Sequence, residues 1–238
     1  FKYLACKYYP MNGMATNPWY IRESYIFYKK LNHPHVIKVY ETQSKIKLSH
    51  DQGEEYFSCI VMELAPFGNL AWLIKLHLFK NDNKLLRTYF HHLIEGLEYI
   101  HSQNVVHLDL RPENLVIGKG YLLKIADFKS CHDATDKLLH VRGSKNYRSP
   151  EIMTKSCENL RAADIYSAGI ILFLLKSGGQ LPQTEEIAFK GKNLWEMMQS
   201  DVKKFWEFQC EIQNKDAEYY SEEFRELFCG MTKMNPAD

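Results

Sequence analysis

The stretch "VVHLDLRPENLVIGKGYLLKIADFKSC", residues 105–131, decides how the chain is read. Two short apolar runs, "ENLVI" and "YLLKIA", flank the turn "GKG", the pattern of a tight hairpin of buried strands. An acidic loop precedes the hairpin and an acid-aromatic pair follows it, so Asp109, Asn114 and Asp127 come to the same edge. One aspartate beside a strand is ordinarily a turn or cap residue. Two carboxylates and an amide converging on one edge instead suit a hard divalent cation such as magnesium and the orientation of a hydroxyl. Lys129 then brings an ammonium within two residues of Asp127. It either pairs with Asp127 and competes with magnesium, or extends into solvent as surface lysines usually do.

Outward from this hairpin the chain changes character along its length. "FKYLACKYY" (1–9) reads as a strand, and "NPWYIRESYIFYKKL" (17–31) has a helical spread of apolar residues behind Asn17 as cap. "HPHVIKVYET" and "EYFSCIVMEL" are strand-like, and the polar stretch "QSKIKLSHDQGEE" between them reads as a loop. Pro66 and Gly68 mark a break, after which helices dominate. "LRTYFHHLIEGLEYIHSQ" (86–103) sets Tyr89, Phe90, Leu93, Ile94, Leu97 and Ile100 at the three-and-four spacing of an amphipathic helix. "AADIYSAGIILFLLKS" is apolar all round and is expected to be buried. The order is a small sheet-rich unit over 1–64, a hinge at 65–69 and a larger helical unit over 70–238.

At 238 residues and 45% hydrophobic, the chain can bury the core of one large domain or two small lobes. Lys plus Arg (30) nearly balance Asp plus Glu (29), and a net charge of +1 points to neither nucleic acid nor an anionic membrane as partner. The six cysteines, Cys6, Cys59, Cys131, Cys157, Cys210 and Cys229, lack the spacing of zinc sites and read as reduced thiols of an intracellular, cytoplasmic protein. The longest apolar run, "AGIILFLL" (168–175), is far shorter than the ~20 residues that span a bilayer. The chain opens without a methionine and is expected to be a piece of a longer protein.

Taken together, these stretches resemble the eukaryotic protein kinase domain over nearly the whole chain. "HLDLRPEN" resembles the catalytic loop H-R-D-x-x-x-x-N, "DFK" stands at D-F-G, and "SPE" (149–151) stands at A-P-E. "GSKNYRSPE" resembles the substrate-positioning loop, and "ADIYSAG" (163–169) the start of the buried central helix, whose Asp164 would brace the catalytic loop. "LACKYY" resembles V-A-I-K, and "VMELAPFGNL" the hinge. The resemblance implies an α+β, bilobal protein kinase fold, with a small sheet-rich N-lobe whose first strands and glycine-rich loop are absent from this chain, and a larger helical C-lobe whose last helix is absent from it. A lysine on a strand is by itself a solvated lysine; in register with the hinge and catalytic loop, Lys7 is expected to contact the α- and β-phosphates of ATP. Asp109 would orient the substrate hydroxyl, and Asn114 and Asp127 would hold magnesium. Arg111 keeps a positive charge near the transferred group, where most Ser/Thr members have lysine. Met62 would be the gatekeeper, the backbone of Glu63 and Ala65 would pair with adenine, and Ala5 and Val116 would sandwich the ring.

Four departures bear on activity. No G-x-G-x-x-G precedes Lys7 within the chain. Ser24 stands where the family has the glutamate that pairs with Lys7; Glu23 is its neighbour, ~100° away around a helix, and reaches Lys7 only if the helix or its following turn takes up an extra residue. Leu108 replaces the arginine of H-R-D, so a switch through phosphorylated Ser130, Thr135 or Ser144 has lost its usual cationic partner. Lys129 replaces the D-F-G glycine, and its Cβ is expected to restrict the flipping of that segment. "DLRPEN" and "GSKNYRSPE" resemble the Ser/Thr class more than the tyrosine class. The implied function is transfer of the ATP γ-phosphoryl group to a protein Ser/Thr hydroxyl. The alternative is a catalytically weak or inactive pseudokinase, a nucleotide-binding or structural module that docks a partner.

Overall fold

Along β1, Leu4–Pro10, every second side chain turns inward: Ala5 and Lys7 are half-buried and Tyr9 is buried, between exposed neighbours. The structure is a computed structural model, and it describes residues 3–11, 15–50, 53–80, 82–137, 140–154, 159–182, 198 and 201–233. β1 runs antiparallel to β3, Gly53–Glu63, with Ala5 opposite Met62 and Lys7 opposite Ile60. On its other side β3 pairs with β2, Val39–His50, giving the order β1-β3-β2. The polar stretch expected as a loop is therefore the far end of a long hairpin, with Ile46 opposite Phe57 and Leu48 opposite Glu55. A register shift between Gln43 and Ile46, where Lys45 has φ 60°, is absorbed by a bulge. Backbone pairing continues while most side chains face water, so the only strand signal there is the short alternation of Ile46 and Leu48 with lysines.

Helix α1, Pro18–Tyr28, starts as expected: the Asn17 side chain accepts from the Trp19 N–H at 2.9 Å, and proline fills the first turn. It ends in a left-handed cap. Lys30 has φ 51°, its N–H donates to Phe27 O, and the Leu31 N–H reaches back to Ile26 O at 3.4 Å. The next segment crosses to the helical part and runs beside β6, Leu123–Ile125, through Ile37 N–H to Ile125 O (2.8 Å) and Ile125 N–H to His35 O (2.9 Å). Helix α3, Asn83–Ser102, packs against this crossing at Gly96, where a Cβ would sit 2.7 Å from the His35 carbonyl oxygen. Only glycine allows that approach.

The short helix α2, Leu70–Lys75, precedes α3, and β4, Val105–Val106, pairs with β7, His132–Asp133. β5, Leu115–Ile117, and β6 form the hairpin expected around "GKG", with Leu115 opposite Ile125. The short α4, Pro150–Thr154, leads into α5, Leu160–Ser177, which Asn159 caps and Gly178 terminates in the left-handed region. α5 is buried along almost its whole length, as its sequence requires. One core joins α3, α5 and the β5–β6 hairpin. A second, aromatic core gathers Phe173 of α5 with Phe205 and Trp206 of α6, Val202–Ile212, with Tyr220, and with Phe228 of α7, Glu222–Met231. Among the described residues no helix is long and apolar enough to cross a membrane. Cys6, Cys59, Cys131, Cys210 and Cys229 are free thiols, while Cys157 and residues 234–238 lie outside the described residues.

Candidate active site

The inward face of β1 aims Lys7 at two carboxylates. Its ammonium lies 2.6 Å from Glu23 Oε2 on α1 and 2.6 Å from Asp127 Oδ1 beyond β6. Glu23 thus takes the place in doubt between positions 23 and 24, while the buried Ser24 hydroxyl folds back onto Ile21 O at 2.9 Å. Tyr9, two positions along the same strand face, also donates its hydroxyl to Glu23 Oε2. Burial pushes the Glu23 carboxyl up, and the charge of Lys7 offsets only part of that. Burial alone would lower Lys7; Glu23 and Asp127 more than compensate and hold it above its ordinary value.

Asp127 opens the turn after β6 in the left-handed region, φ 63°. Phe128 behind it is fully buried, its ring edge-on to His107 with centroids 4.9 Å apart. Lys129 curls back so that its ammonium lies 2.7 Å from Asp127 Oδ2. Of the two fates open to this lysine, the structure shows pairing. Residue 129 lies in a 3₁₀ turn, and the positive φ falls on Asp127, so the side chain at 129 costs no backbone strain here. Burial would raise the Asp127 carboxyl, but Lys129 and Lys7 hold it below the usual range.

Asn114 is fixed beside Asp127 because its carbonyl accepts the Ala126 N–H at 2.9 Å where the β5–β6 pairing begins. Its Nδ2 donates to Asp109 O at 2.8 Å, leaving its Oδ1 as an acceptor. That amide oxygen and the Asp127 carboxylate are donors of the kind magnesium takes when substrate phosphates and water complete its shell. Among the described residues no group of three or more His, Cys, Asp or Glu side chains can hold a metal by itself.

Asp109, 9% exposed, accepts the Ser144 hydroxyl on Oδ1 at 2.8 Å. Ser144 in turn accepts from Arg111 Nη1 at 2.9 Å, and Arg111 Nε donates to Glu113 at 2.7 Å. The hydrogen bond to Glu113 keeps Arg111 firmly charged. Ser144, read from sequence as a phosphorylation candidate, instead has its hydroxyl engaged between the loop aspartate and the loop arginine. Beneath the loop, the wholly buried Asp164 accepts the backbone N–H groups of His107 and Leu108, each at 2.8 Å, and contacts His101 Nε2 at 2.9 Å. Leu108 has φ 59° and packs with Val106, Ile152, Leu160 and Ala163, so apolar contact fills the place of the family's arginine. Gly143, φ +79°, passes so close that a Cβ there would lie 2.5 Å from Leu108 O.

At the other side of the cleft, Ala5 faces Met62 across β1 and β3, and Val116 of β5 bridges to Asn69. The Glu63 N–H donates to Lys38 O at 2.9 Å, so its backbone can offer a ligand only its carbonyl. Its side chain receives Lys124 Nζ at 2.9 Å. The Ala65 N–H makes no backbone hydrogen bond among the described residues. Sequence reading missed the Tyr9 hydroxyl and the bridging position of Ser144. The signal for Tyr9 was its place two residues from Lys7 on the same face; nothing local marked Ser144, whose partners lie more than thirty residues away.

A strand lysine held by a helix glutamate, an acid after a hairpin, and a loop aspartate braced from a buried helix are set out as in a protein kinase domain. The protein kinase domain family matches residues 2–238, and the chain belongs to that family. It is 37% identical over 186 residues to CBL-interacting protein kinase 26 of Oryza sativa subsp. japonica, a match covering 76% of this chain and 34% of that protein. It is 36% identical over 168 residues to CBL-interacting serine/threonine-protein kinase 26 of Arabidopsis thaliana, covering 66% of this chain and 35% of that one. Serine/threonine-protein kinase GIN4 of Saccharomyces cerevisiae is 36% identical over 174 residues, 71% of this chain and 14% of GIN4. The chain thus spans about a third or less of the length of these relatives.

Proposed function

We propose that the protein is a serine/threonine protein kinase that transfers the γ-phosphoryl group of ATP to a protein hydroxyl. The observation that carries this reading is the single ammonium of Lys7 held 2.6 Å from both Glu23 and Asp127, which joins the sheet, α1 and the hairpin edge into one site. In this reading residues 1–64 and 70–238 are the two lobes and 65–69 the hinge. Lys7 grips the α- and β-phosphates, kept in place by Glu23. Ala5, Met62 and Val116 enclose the adenine, which pairs with the Glu63 carbonyl and the Ala65 N–H. Asn114 and Asp127 hold magnesium, which when bound neutralises charge on the phosphates.

Asp109 orients the incoming hydroxyl and takes its proton. Ser144 holds that carboxylate from one side, and Arg111 supplies a fixed positive charge beside it. Leu108 leaves control of the site to partner binding or to constitutive assembly. The relatives named as serine/threonine kinases, and the "DLRPEN" loop, support serine or threonine as the acceptor on a protein substrate. We place the protein inside the cell, in the cytoplasm, where ATP and reduced thiols coexist.

Transfer of labelled phosphate from ATP with magnesium to a mixed protein substrate, followed by phosphoamino-acid analysis, tests this. Wild type is expected to label serine and threonine, and Asp109→Asn to lose at least about a hundredfold in rate, as for removal of a general base. A wild type that binds nucleotide yet transfers nothing would instead favour the second reading, a nucleotide-binding docking module. The observation on that side is Lys129, which already pairs with the second oxygen of Asp127.

A further inference from the structure

Both oxygens of Asp127 are taken by ammonium groups: Oδ1 by Lys7 at 2.6 Å and Oδ2 by Lys129 at 2.7 Å. Around them Glu23, Lys7, Asp127 and Lys129 form an alternating chain of four charges that sums to zero before any ligand arrives. Magnesium gives up its water reluctantly and needs an oxygen at about 2 Å in octahedral geometry. Each Asp127 oxygen keeps a free lone pair, but a dication arriving there meets an ammonium already within 2.7 Å of the carboxylate, and the two repel. Lys7 is pinned a second time by the buried Glu23, whereas Lys129 has no second acidic partner among the described residues. Lys129 is therefore the group that metal would have to move. Its side chain is 36% exposed, and a flexible four-carbon stem lets the ammonium swing between the carboxylate and a nearby anion.

We propose that Lys129 is a built-in counter-ion standing in for much of the divalent metal, so that this site binds a nucleoside triphosphate with little dependence on magnesium. This rests on the kinase reading of the site. When a triphosphate enters beside Lys7, the Lys129 ammonium turns from Asp127 Oδ2 toward the phosphate oxygens and neutralises charge that a glycine at that place would leave to the metal. Metal binding at Asp127 and the lysine contact oppose one another, because both bring positive charge to the same carboxylate. Replacing Lys129 consequently strengthens magnesium binding and restores the dependence.

The test measures the Kd of a fluorescent ATP analogue for wild type, Lys129→Gly and Lys129→Arg, with magnesium and with a chelator in its place. Wild type is expected to bind within about threefold in the two conditions, and Lys129→Gly to bind at least about tenfold more tightly with magnesium than without, a difference of about 1.4 kcal/mol. Lys129→Arg keeps the positive charge and is expected to behave as wild type. Melting temperature without nucleotide checks that each variant is folded. A wild-type affinity that rises about tenfold or more with magnesium overturns the proposal whatever the variants do, while leaving the kinase reading in place. Equal metal dependence in wild type and folded Lys129→Gly overturns it in the same way. Absence of nucleotide binding in every protein and condition overturns this proposal and the kinase reading together.

Discussion

Glu23 shows how a one-residue displacement is reconciled. A residue's step around an α-helix is ~100°, so positions 23 and 24 cannot both face Lys7. The structure turns α1 so that Glu23 is 1% exposed and clamped between Lys7 and the Tyr9 hydroxyl. A buried carboxylate that loses a donor must bear the desolvation that the donor had offset. Tyr9→Phe is therefore expected to lower stability by about 1–2 kcal/mol, read as a shift of the urea midpoint with unchanged slope. Leu108 is the opposite case. Its left-handed backbone costs of order 1–2 kcal/mol for a residue with a Cβ. Two hydrogen bonds from its loop to Asp164 and an apolar pocket of Ile152, Leu160 and Ala163 offset that cost.

At the scale of elements, three-and-four spacing exposed α3, an apolar run on every side exposed the buried α5, and the alternate burial along β1 emerged only with the sheet. The β2–β3 hairpin extends into a polar stretch, where backbone pairing sets Lys47 opposite Tyr56 and Ser49 opposite Glu54 and a Lys47–Glu54 ion pair at 2.6 Å joins the two strands. The crossing of His35 over α3 was silent in sequence, because a glycine in a helix signals nothing about what approaches it. There, Gly96→Ala is expected to push the His35 carbonyl away from a Cβ that would lie 2.7 Å from it. The cost is about 1–3 kcal/mol of overpacking, measured by chemical denaturation, with a larger share of lost nucleotide affinity than a surface alanine would produce. The reason is position: the same segment hydrogen-bonds to β6, whose end carries Asp127.

For the whole molecule, acidification works through histidines packed between elements. Burial lowers the pKa of His33, His92 and His132, and neighbouring positive groups lower each of them further. A group whose folded pKa is depressed contributes stability that is present above its unfolded value, about 6.5, and is lost as pH falls through the folded value. The melting temperature is expected to be flat near neutrality and to fall below pH ~6.5, and replacing His132 with asparagine to reduce that slope. A slope that persists unchanged without His132 assigns the effect to the other two. Sequence alone determined the fold class and the order of sheet-rich and helical parts, and singled out Asp109, Asn114 and Asp127 as candidates, because hydrophobic period and residue chemistry are local properties. Which of Glu23 and Ser24 meets Lys7, whether Ser144 is free, and whether Lys129 turns to solvent or to Asp127 were decided only by tertiary structure. Those outcomes depend on the turn of one helix against a distant strand and on ammonium-to-carboxylate distances of less than 3 Å, which no spacing along the chain encodes.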